Sequence, residues 1–300
     1  RLRSRIDEAL TSQSGDGLAV EIAGICQDYM SGKLGRSHTM SQMLNNLMDR
    51  LSLPPKGRVE TGFTRVDALL KGMRAGNFVI IAARPAVGKS VYAQNIAMNV
   101  ARTGKSVLLY SLEMSDEELG ERIISKTSGV QLDRITDHDL DEQDWKRVSD
   151  ACQYLYDLPL IINDDPSVTT SKIRAEARMT ENLGLIIVDF LTLIKSERKY
   201  DSRNLEVGAI SRDLKLLAKE LKIPIIALSQ LNRNAADTSR PTLAELRDSG
   251  ELEQNTDSVI FLWNIDVEQG IKGVAVAKNR QGRCGAVQMR FVGDQMRFVE

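Results

Sequence analysis

The chain has 300 residues, of which 42% are hydrophobic and 27% charged, proportions typical of a globular protein with one large domain or one domain and a small appendage. The formal net charge of −1 gives no overall attraction for nucleic acid and, taken alone, favours an enzyme acting on small molecules. The longest apolar runs are strand-sized, well short of the roughly 20 residues that cross a bilayer, so we expect no membrane segment.

The cysteines and histidines are few and scattered. Cys26, Cys152 and Cys284 lie far apart, and His38 and His138 are the only histidines. A structural zinc site needs about four clustered cysteine or histidine ligands, which this spacing does not offer. We therefore expect reduced thiols in a cytoplasmic protein, and neither a zinc site nor a histidine-based hydrolytic triad.

The N-terminal segment differs in pattern from the rest of the chain. Residues 1–36 are helical in pattern but interrupted by glycines, and we interpret them as the remnant of an upstream helical domain. Because no initiator methionine precedes them, we expect such a domain to be missing from this sequence. Residues 37–58 are predicted to form a linker that contains one amphipathic helix.

The linker helix carries a single apolar stripe. Thr39 and Gln42 suit a capping box at its start, and Pro54-Pro55 would end it. The stripe would pack either on its own domain or on a neighbouring subunit, in which case the helix docks subunits together. Its members are Met40, Met43, Leu44, Leu47, Met48 and Leu51.

Residues 59–300 alternate short apolar runs with amphipathic stretches, the pattern of βαβ units around a mainly parallel sheet. After Asp257 the apolar runs follow one another with short connections, which predicts antiparallel C-terminal strands. We therefore predict an α/β fold with a small helical N-terminal segment.

A phosphate-binding loop is the strongest motif. A buried strand precedes it and a helix follows, as the motif requires. Backbone N–H groups and the helix N-terminus would form an anion cradle, Lys89 would reach the β- and γ-phosphates of a nucleotide, and the Ser90 hydroxyl would bind Mg²⁺. The motif reads Ala83, Arg84, Pro85, Ala86, Val87, Gly88, Lys89 and Ser90, with alanine in place of the usual first glycine.

Polar side chains end three other predicted strands. Asp189 follows four apolar residues and suits Mg²⁺ coordination at the carboxyl edge of the sheet. Glu113 lies just beyond another strand, where it would polarise the attacking water or else cap the helix starting near Asp116. Gln230 ends a third strand and would contact the γ-phosphate.

These motifs together resemble those of the DnaB-type replicative helicases, a branch of the RecA-like ATPases. The resemblance covers about residues 38–300 and implies a RecA-like phosphate-loop fold. Its motifs are Thr61-Gly62-Phe63 with Asp67, the phosphate loop, Ser111 to Met114, Ile187 to Leu191, Leu228 to Arg233, Leu246 to Gly250 and Lys278-Asn279-Arg280.

The resemblance implies roles for several residues. Glu113 would be the catalytic acid that activates water, Gln230 the γ-phosphate sensor, and Arg122 a contact to the nucleotide base. Lys278 and Arg280 would reach the ATP of the adjacent subunit as an arginine finger.

The resemblance also implies a homo-hexameric ring that moves 5′ to 3′ on single-stranded DNA, with a primase and a helicase loader as partners. DNA contacts are expected from Arg247, Asp248 and Gly250, with a second candidate group in the loop after Asp189. Contacts to phosphate without base readout would suit movement on any sequence. The second group consists of Arg198, Lys199 and Arg203.

Two alternatives remain at this point. A RecA/RadA-like recombinase would form filaments instead of closed rings. A nucleotide-gated assembly factor would bind partners and scarcely hydrolyse ATP, which the presence of both Glu113 and Asp189 disfavours.

Overall fold

The computed structural model describes residues 39–52, 57–231 and 239–300. The chain divides into two compact units, residues 1–56 and 57–300. The predicted remnant of an upstream domain, residues 1–36, lies outside the described residues. So do the two prolines expected to end the linker helix.

The first unit contains helix α1, Met40–Leu51. The expected capping box is present, because the Thr39 N–H donates to Oε1 of Gln42 at 3.0 Å and the Gln42 N–H donates to Oγ1 of Thr39 at 3.3 Å. Every member of the apolar stripe is exposed, from 39% at Leu47 to 68% at Leu51. The role of this stripe in subunit docking stays a prediction.

The second unit is built on one large sheet. Within the described residues it has nine strands in the order β11-β10-β9-β8-β3-β7-β6-β4-β5, and β1 and β2 form a separate antiparallel pair. The pairings from β8 through β3 to β5 are parallel, and those from β8 to β11 are antiparallel. The strands are β1 Arg58–Val59, β2 Met73–Arg74, β3 Phe78–Ala83, β4 Ser106–Ser111, β5 Leu160–Asn163, β6 Leu183–Asp189, β7 Ile225–Gln230, β8 Ser258–Asp266, β9 Ile271–Asn279, β10 Gly285–Val292 and β11 Arg297–Val299.

Helices cover both faces of this sheet. Alternate residues of β3 contribute to two separate cores, because Val79 and Ile81 pack with α3 on one face while Phe78 and Ile80 pack with α8 on the other. The predicted α/β class is therefore confirmed. The helices are α2 Thr64–Leu70, α3 Lys89–Ala101, α4 Asp116–Ser128, α5 Leu132–Thr136, α6 Glu142–Tyr156, α7 Thr170–Met179, α8 Arg203–Leu221 and α9 Gly250–Asn255. Short 3₁₀ helices lie at Leu191–Leu193, Leu243–Ser249 and Gly293–Gln295.

The register of the parallel strands sets the position of the functional side chains. Ala83 of β3 is opposite Gln230 of β7, and Ser111 of β4 is opposite Asp189 of β6. Because parallel strands end at the same edge, the phosphate loop, Asp189, Gln230 and the turn after Ser111 meet there. None of the helices in the described parts of the chain is long and apolar enough to span a membrane.

Candidate nucleotide site

The phosphate loop joins β3 to α3 through an unusual backbone. Ala86 has a φ of 60° and Gly88 a φ of 101°, the left-handed region that costs an alanine free energy and suits a glycine. Gly88 is the N-cap of α3, and no side chain caps this end. A Cβ atom built on Gly88 would come within 3.4 Å of the Phe298 ring. The first N–H groups of α3 therefore remain available to an anion.

Lys89 and Asp189 form the charged centre of the site. Nζ of Lys89 lies 3.9 Å from Oδ1 of Asp189, and both side chains are largely buried. Burial lowers the pKa of Lys89, which the negative charges of Asp189 and Glu113 partly offset. Burial likewise raises the pKa of Asp189, against the stabilising charge of Lys89 and a hydrogen bond from Ser90. Each charge thus depends on the other.

The same carboxylate has the properties of a cation ligand. Oδ1 of Asp189 is buried and accepts no hydrogen bond from any described residue. A buried anionic oxygen without a donor is costly unless it meets a cation. The Ser90 hydroxyl beside it supplies a second hard oxygen. Mg²⁺ takes one or two protein oxygens and keeps several waters, so Ser90 and Asp189 fit it.

Three further predicted residues converge on the phosphate loop. Glu113, Arg122 and Gln230 line one cavity of about 200 Å³ with the loop residues. Glu113 does not cap α4, since the Ser115 side chain accepts the N–H of Glu118 and is the N-cap. This removes the alternative helix-capping role of Glu113, which lines the cavity beside the phosphate loop.

Arg84 makes a contact that the sequence did not predict. Although it belongs to the phosphate loop, its guanidinium is buried and donates to the Ser239 carbonyl at 2.8 Å and to Oε2 of Glu245 at 2.9 Å. Glu245 lies in the 3₁₀ helix Leu243–Ser249, which contains Arg247. The phosphate loop is thereby tied to the segment predicted to hold DNA.

The two residues expected to act on a neighbouring subunit lie together at the end of β9. Nζ of Lys278 donates to the Glu253 carbonyl at 2.5 Å, and Nη2 of Arg280 donates to the Gln254 carbonyl at 2.6 Å. Both acceptors are in the last turn of α9. Lys278 lies within β9, and Arg280 lies one residue beyond its end. Neither lines the phosphate cavity of its own chain.

Asp257 helps to hold Arg280 in place, a role that the sequence did not predict. It is buried, accepts the Phe78 N–H at 2.8 Å and pairs with Lys215 at 2.5 Å. Nη1 of Arg280 lies 3.6 Å from its other oxygen. No motif pointed to Asp257, because its partners come from β3, α8 and the end of β9.

The predicted DNA contacts are only partly described. The backbone of Arg247 and Asp248 is in the 3₁₀ helix and Gly250 begins α9, but the side chains of Arg247 and Asp248 are not described. Arg198 and Lys199 are exposed, as expected of a loop.

Arg203 does not lie in this loop, so the expectation that all three residues share it was wrong. It is the first residue of α8, which Ser202 caps. Its guanidinium donates to the Thr192 carbonyl and pairs with Glu206 at 2.5 Å. Arg203 therefore joins the start of α8 to the 3₁₀ helix Leu191–Leu193.

Comparison with known proteins identifies the family. Residues 58–300 match the model of the DnaB-like helicase C terminal domain. A replicative DNA helicase DnaC from Bacillus subtilis (strain 168) is 38% identical over 254 residues, which is 80% of this chain and 56% of the relative. A replicative DNA helicase DnaB from Geobacillus stearothermophilus gives the same identity and coverage. The chain thus spans about half the length of these relatives.

Solved structures agree with the sequence relatives. A solved ATPase domain superposes with a TM-score of 0.82 and 31% identity, covering 88% of this chain and 99% of that one. A DnaB-like replicative helicase, described with its interactions with primase, gives a TM-score of 0.79 and 28% identity over 99% of this chain and 74% of that one. The helicase names among these relatives disfavour the recombinase and assembly-factor alternatives. The chain belongs to the DnaB-like helicase family and carries its C-terminal domain.

Proposed function

We propose that this chain is the ATP-driven motor of a replicative DNA helicase, working as a hexameric ring on single-stranded DNA in the cytoplasm. The observation that carries the proposal is the cavity beside the phosphate loop, where Lys89, Glu113 and Gln230 meet near the buried carboxylate of Asp189. These groups are the set that phosphoryl transfer from a nucleotide to water requires. The names of the relatives support the link to DNA unwinding.

The residues of one subunit divide the chemistry among themselves. The N–H groups at the start of α3 and the Lys89 ammonium bind the β- and γ-phosphates. Ser90 and Asp189 would hold Mg²⁺, which neutralises phosphate charge when bound. Glu113 accepts the proton of the attacking water, and Gln230 orients the γ-phosphate. Arg122, in the lining of the same cavity, contacts the base.

The neighbouring subunit completes the site. The side chain of Arg280 is 49% exposed, so it is free to turn from the Gln254 carbonyl to a phosphate across an interface. Lys278 donates to the Glu253 carbonyl near the end of α9, the helix that also contains Gln254. Charge that develops on the γ-phosphate during hydrolysis is stabilised by such a finger.

Two links connect the ATP sites to DNA. Arg84 joins the phosphate loop to Glu245, and the finger residues hold the end of α9, the helix that Gly250 begins. Both links converge on residues 243–255, which include the proposed DNA contacts Arg247, Asp248 and Gly250. Arg198 and Lys199, with Arg203 at the start of α8, are the second proposed contact group. A primase and a helicase loader are the proposed protein partners; one structural neighbour is described with its primase interactions.

A strand-displacement assay tests the proposal. With ATP and Mg²⁺, the chain should unwind a forked duplex from a 5′ single-stranded tail. Glu113→Gln should still bind ATP but lose about 10²- to 10⁴-fold in hydrolysis, because an amide cannot take the proton. Glu117→Gln, which removes an exposed acid in the first turn of α4, is the matched control and should behave as wild type. Near-normal turnover by Glu113→Gln would contradict the assignment.

A further inference from the structure

A second cavity lies at the opposite end of α3 from the phosphate loop. Its volume is about 390 Å³. Because α3 has 13 residues, its two ends are about 20 Å apart at 1.5 Å per residue. The cavity shares no lining residue with the nucleotide site. Its walls come from the turn before α2, the second half of α3, the end of α4 and strand β11.

Three cations face this cavity without an anionic partner. They are Arg102 after α3, Lys126 in the last turn of α4 and Arg297 at the start of β11. Among the described residues none of these side chains has an ion pair or a hydrogen bond, although Arg102 stacks 5.7 Å from the centre of the Tyr154 ring. The one acid in the lining, Glu300, instead accepts the Arg65 N–H at 2.7 Å.

The surroundings of Lys126 in this cavity lower its pKa. Burial, with a smaller contribution from the nearby charges of Arg102 and Arg297, lowers the pKa of its ammonium group to about 7. Like charges gathered in a partly buried site destabilise one another. A bound anion would remove that repulsion.

The remaining polar groups of the lining are already used. Asn95 donates to two carbonyls and accepts the Phe298 N–H, and Asn99 donates to the Thr61 carbonyl at 3.0 Å. The Thr127 hydroxyl donates to a carbonyl of its own helix. The charged donors left for a ligand are therefore the three cations. Two guanidinium groups with an ammonium suit a tetrahedral oxyanion with two or more charges.

We propose that this cavity is a second anion site, selective for phosphoryl anions such as inorganic phosphate, pyrophosphate or the phosphate tail of a nucleotide. It is separate from the phosphate loop but is connected to it through packed side chains. Phe298, next to Arg297, stacks edge-on against Tyr92 with ring centroids 5.1 Å apart and packs beside Gly88. An anion held by Arg297 therefore fixes the strand that supports the loop.

Calorimetric titration with sodium pyrophosphate tests the site. The titration uses the Lys89→Ala chain, in which the phosphate loop is weakened, without Mg²⁺ and at low ionic strength. Adding Lys126→Gln or Arg297→Gln should weaken pyrophosphate binding about tenfold each, as the loss of a charged hydrogen bond implies. Lys146→Gln and Arg283→Gln remove exposed cations elsewhere, on α6 and between β9 and β10. These matched controls should leave the affinity unchanged.

The outcomes separate the sources of the anion and can overturn the proposal. Inorganic phosphate and ADP are titrated in parallel. Binding of ADP with the same dependence on Lys126 and Arg297 assigns the site to nucleotides, and binding of the inorganic anions alone assigns it to free phosphates. Equal weakening by the control variants, or no pyrophosphate binding at all, overturns the site. Thermal unfolding checks folding, and Lys126→Gln serves alone if Arg297→Gln does not fold.

Discussion

Lys126 is a residue whose charge works against the folded state. Burial and the cations Arg102 and Arg297 lower its pKa to about 7 from the ordinary value of 10.5. The unfolded chain therefore binds more protons than the folded one between about pH 7 and pH 10, so this residue makes stability rise with pH across that window. Below pH 7 both states carry the charge, and the full penalty applies.

Replacing Lys126 should consequently stabilise the protein at low pH. Lys126→Gln is expected to raise the melting temperature by a few degrees at pH 6, and the gain should vanish above about pH 10, where the wild-type lysine is neutral in both states. Differential scanning calorimetry at both pH values measures this, with Lys146→Gln as the exposed control. A lower melting temperature for Lys126→Gln at pH 6 would show that its charge is stabilised after all.

Single residues differ in how far the sequence predicts them. Lys89, Ser90 and Asp189 were predictable because a buried strand followed by a helix, or by a carboxylate, fixes their place at one sheet edge. Lys126 and Asp257 were not, because their properties come from partners that are remote in sequence. No local sequence pattern specifies contacts between residues that are remote in sequence.

At the scale of elements, the segment Leu243–Ser249 connects two functions. Glu245 holds Arg84 of the phosphate loop, while Arg247 in the same 3₁₀ helix is the proposed DNA contact. Strand and helix positions near it followed from hydrophobic pattern, and the parallel and antiparallel halves of the sheet are confirmed. The contact of Arg84 could not be predicted from the sequence, since a phosphate-loop motif describes the backbone and does not specify what this side chain binds.

The proposed DNA role of that segment predicts a particular salt dependence. Arg247→Ala should weaken single-stranded DNA binding about equally for all sequences and reduce the slope of log affinity against log salt by about one, because one phosphate contact is lost. Fluorescence anisotropy with oligonucleotides of different base composition measures both effects. Arg283→Ala, which removes an exposed cation between β9 and β10, is the control. Loss on only one sequence would indicate base readout instead.

The exposed apolar stripe of helix α1 leads to a second prediction, about subunit docking. Its stripe is exposed, with Leu44 at 51%, and an exposed apolar face of this kind suits a protein partner. Leu44→Asp should weaken assembly because it places a charge on the docking face, whereas Asn45→Asp adds the same charge off the stripe. Sedimentation velocity compares them. Undiminished hexamers of Leu44→Asp would remove the docking role.

At the scale of the whole molecule, the proposed ATP site is shared between subunits. One chain supplies Lys89, Glu113 and Asp189, while Arg280 follows β9, donates to the Gln254 carbonyl of α9 and, in our proposal, acts on the ATP of a neighbour. The proposed ring would also reconcile the net charge of −1 with DNA binding, because repeated loops would gather local positive charge around one channel. Assembly was implied by resemblance alone, since hydrophobic pattern within one chain does not specify its copies.

Mixing two inactive variants tests the shared site most directly. Arg280→Ala should bind ATP almost normally yet hydrolyse it on the order of 10³-fold or more slowly, and Lys89→Ala should lose nucleotide-dependent activity. In a mixed ring an intact phosphate loop can meet an intact Arg280, so ATPase activity should rise above that of either variant alone, with subunit exchange verified by fluorescence energy transfer. No recovery despite proven mixing, or wild-type turnover by Arg280→Ala alone, would contradict an ATP site completed by the neighbouring subunit.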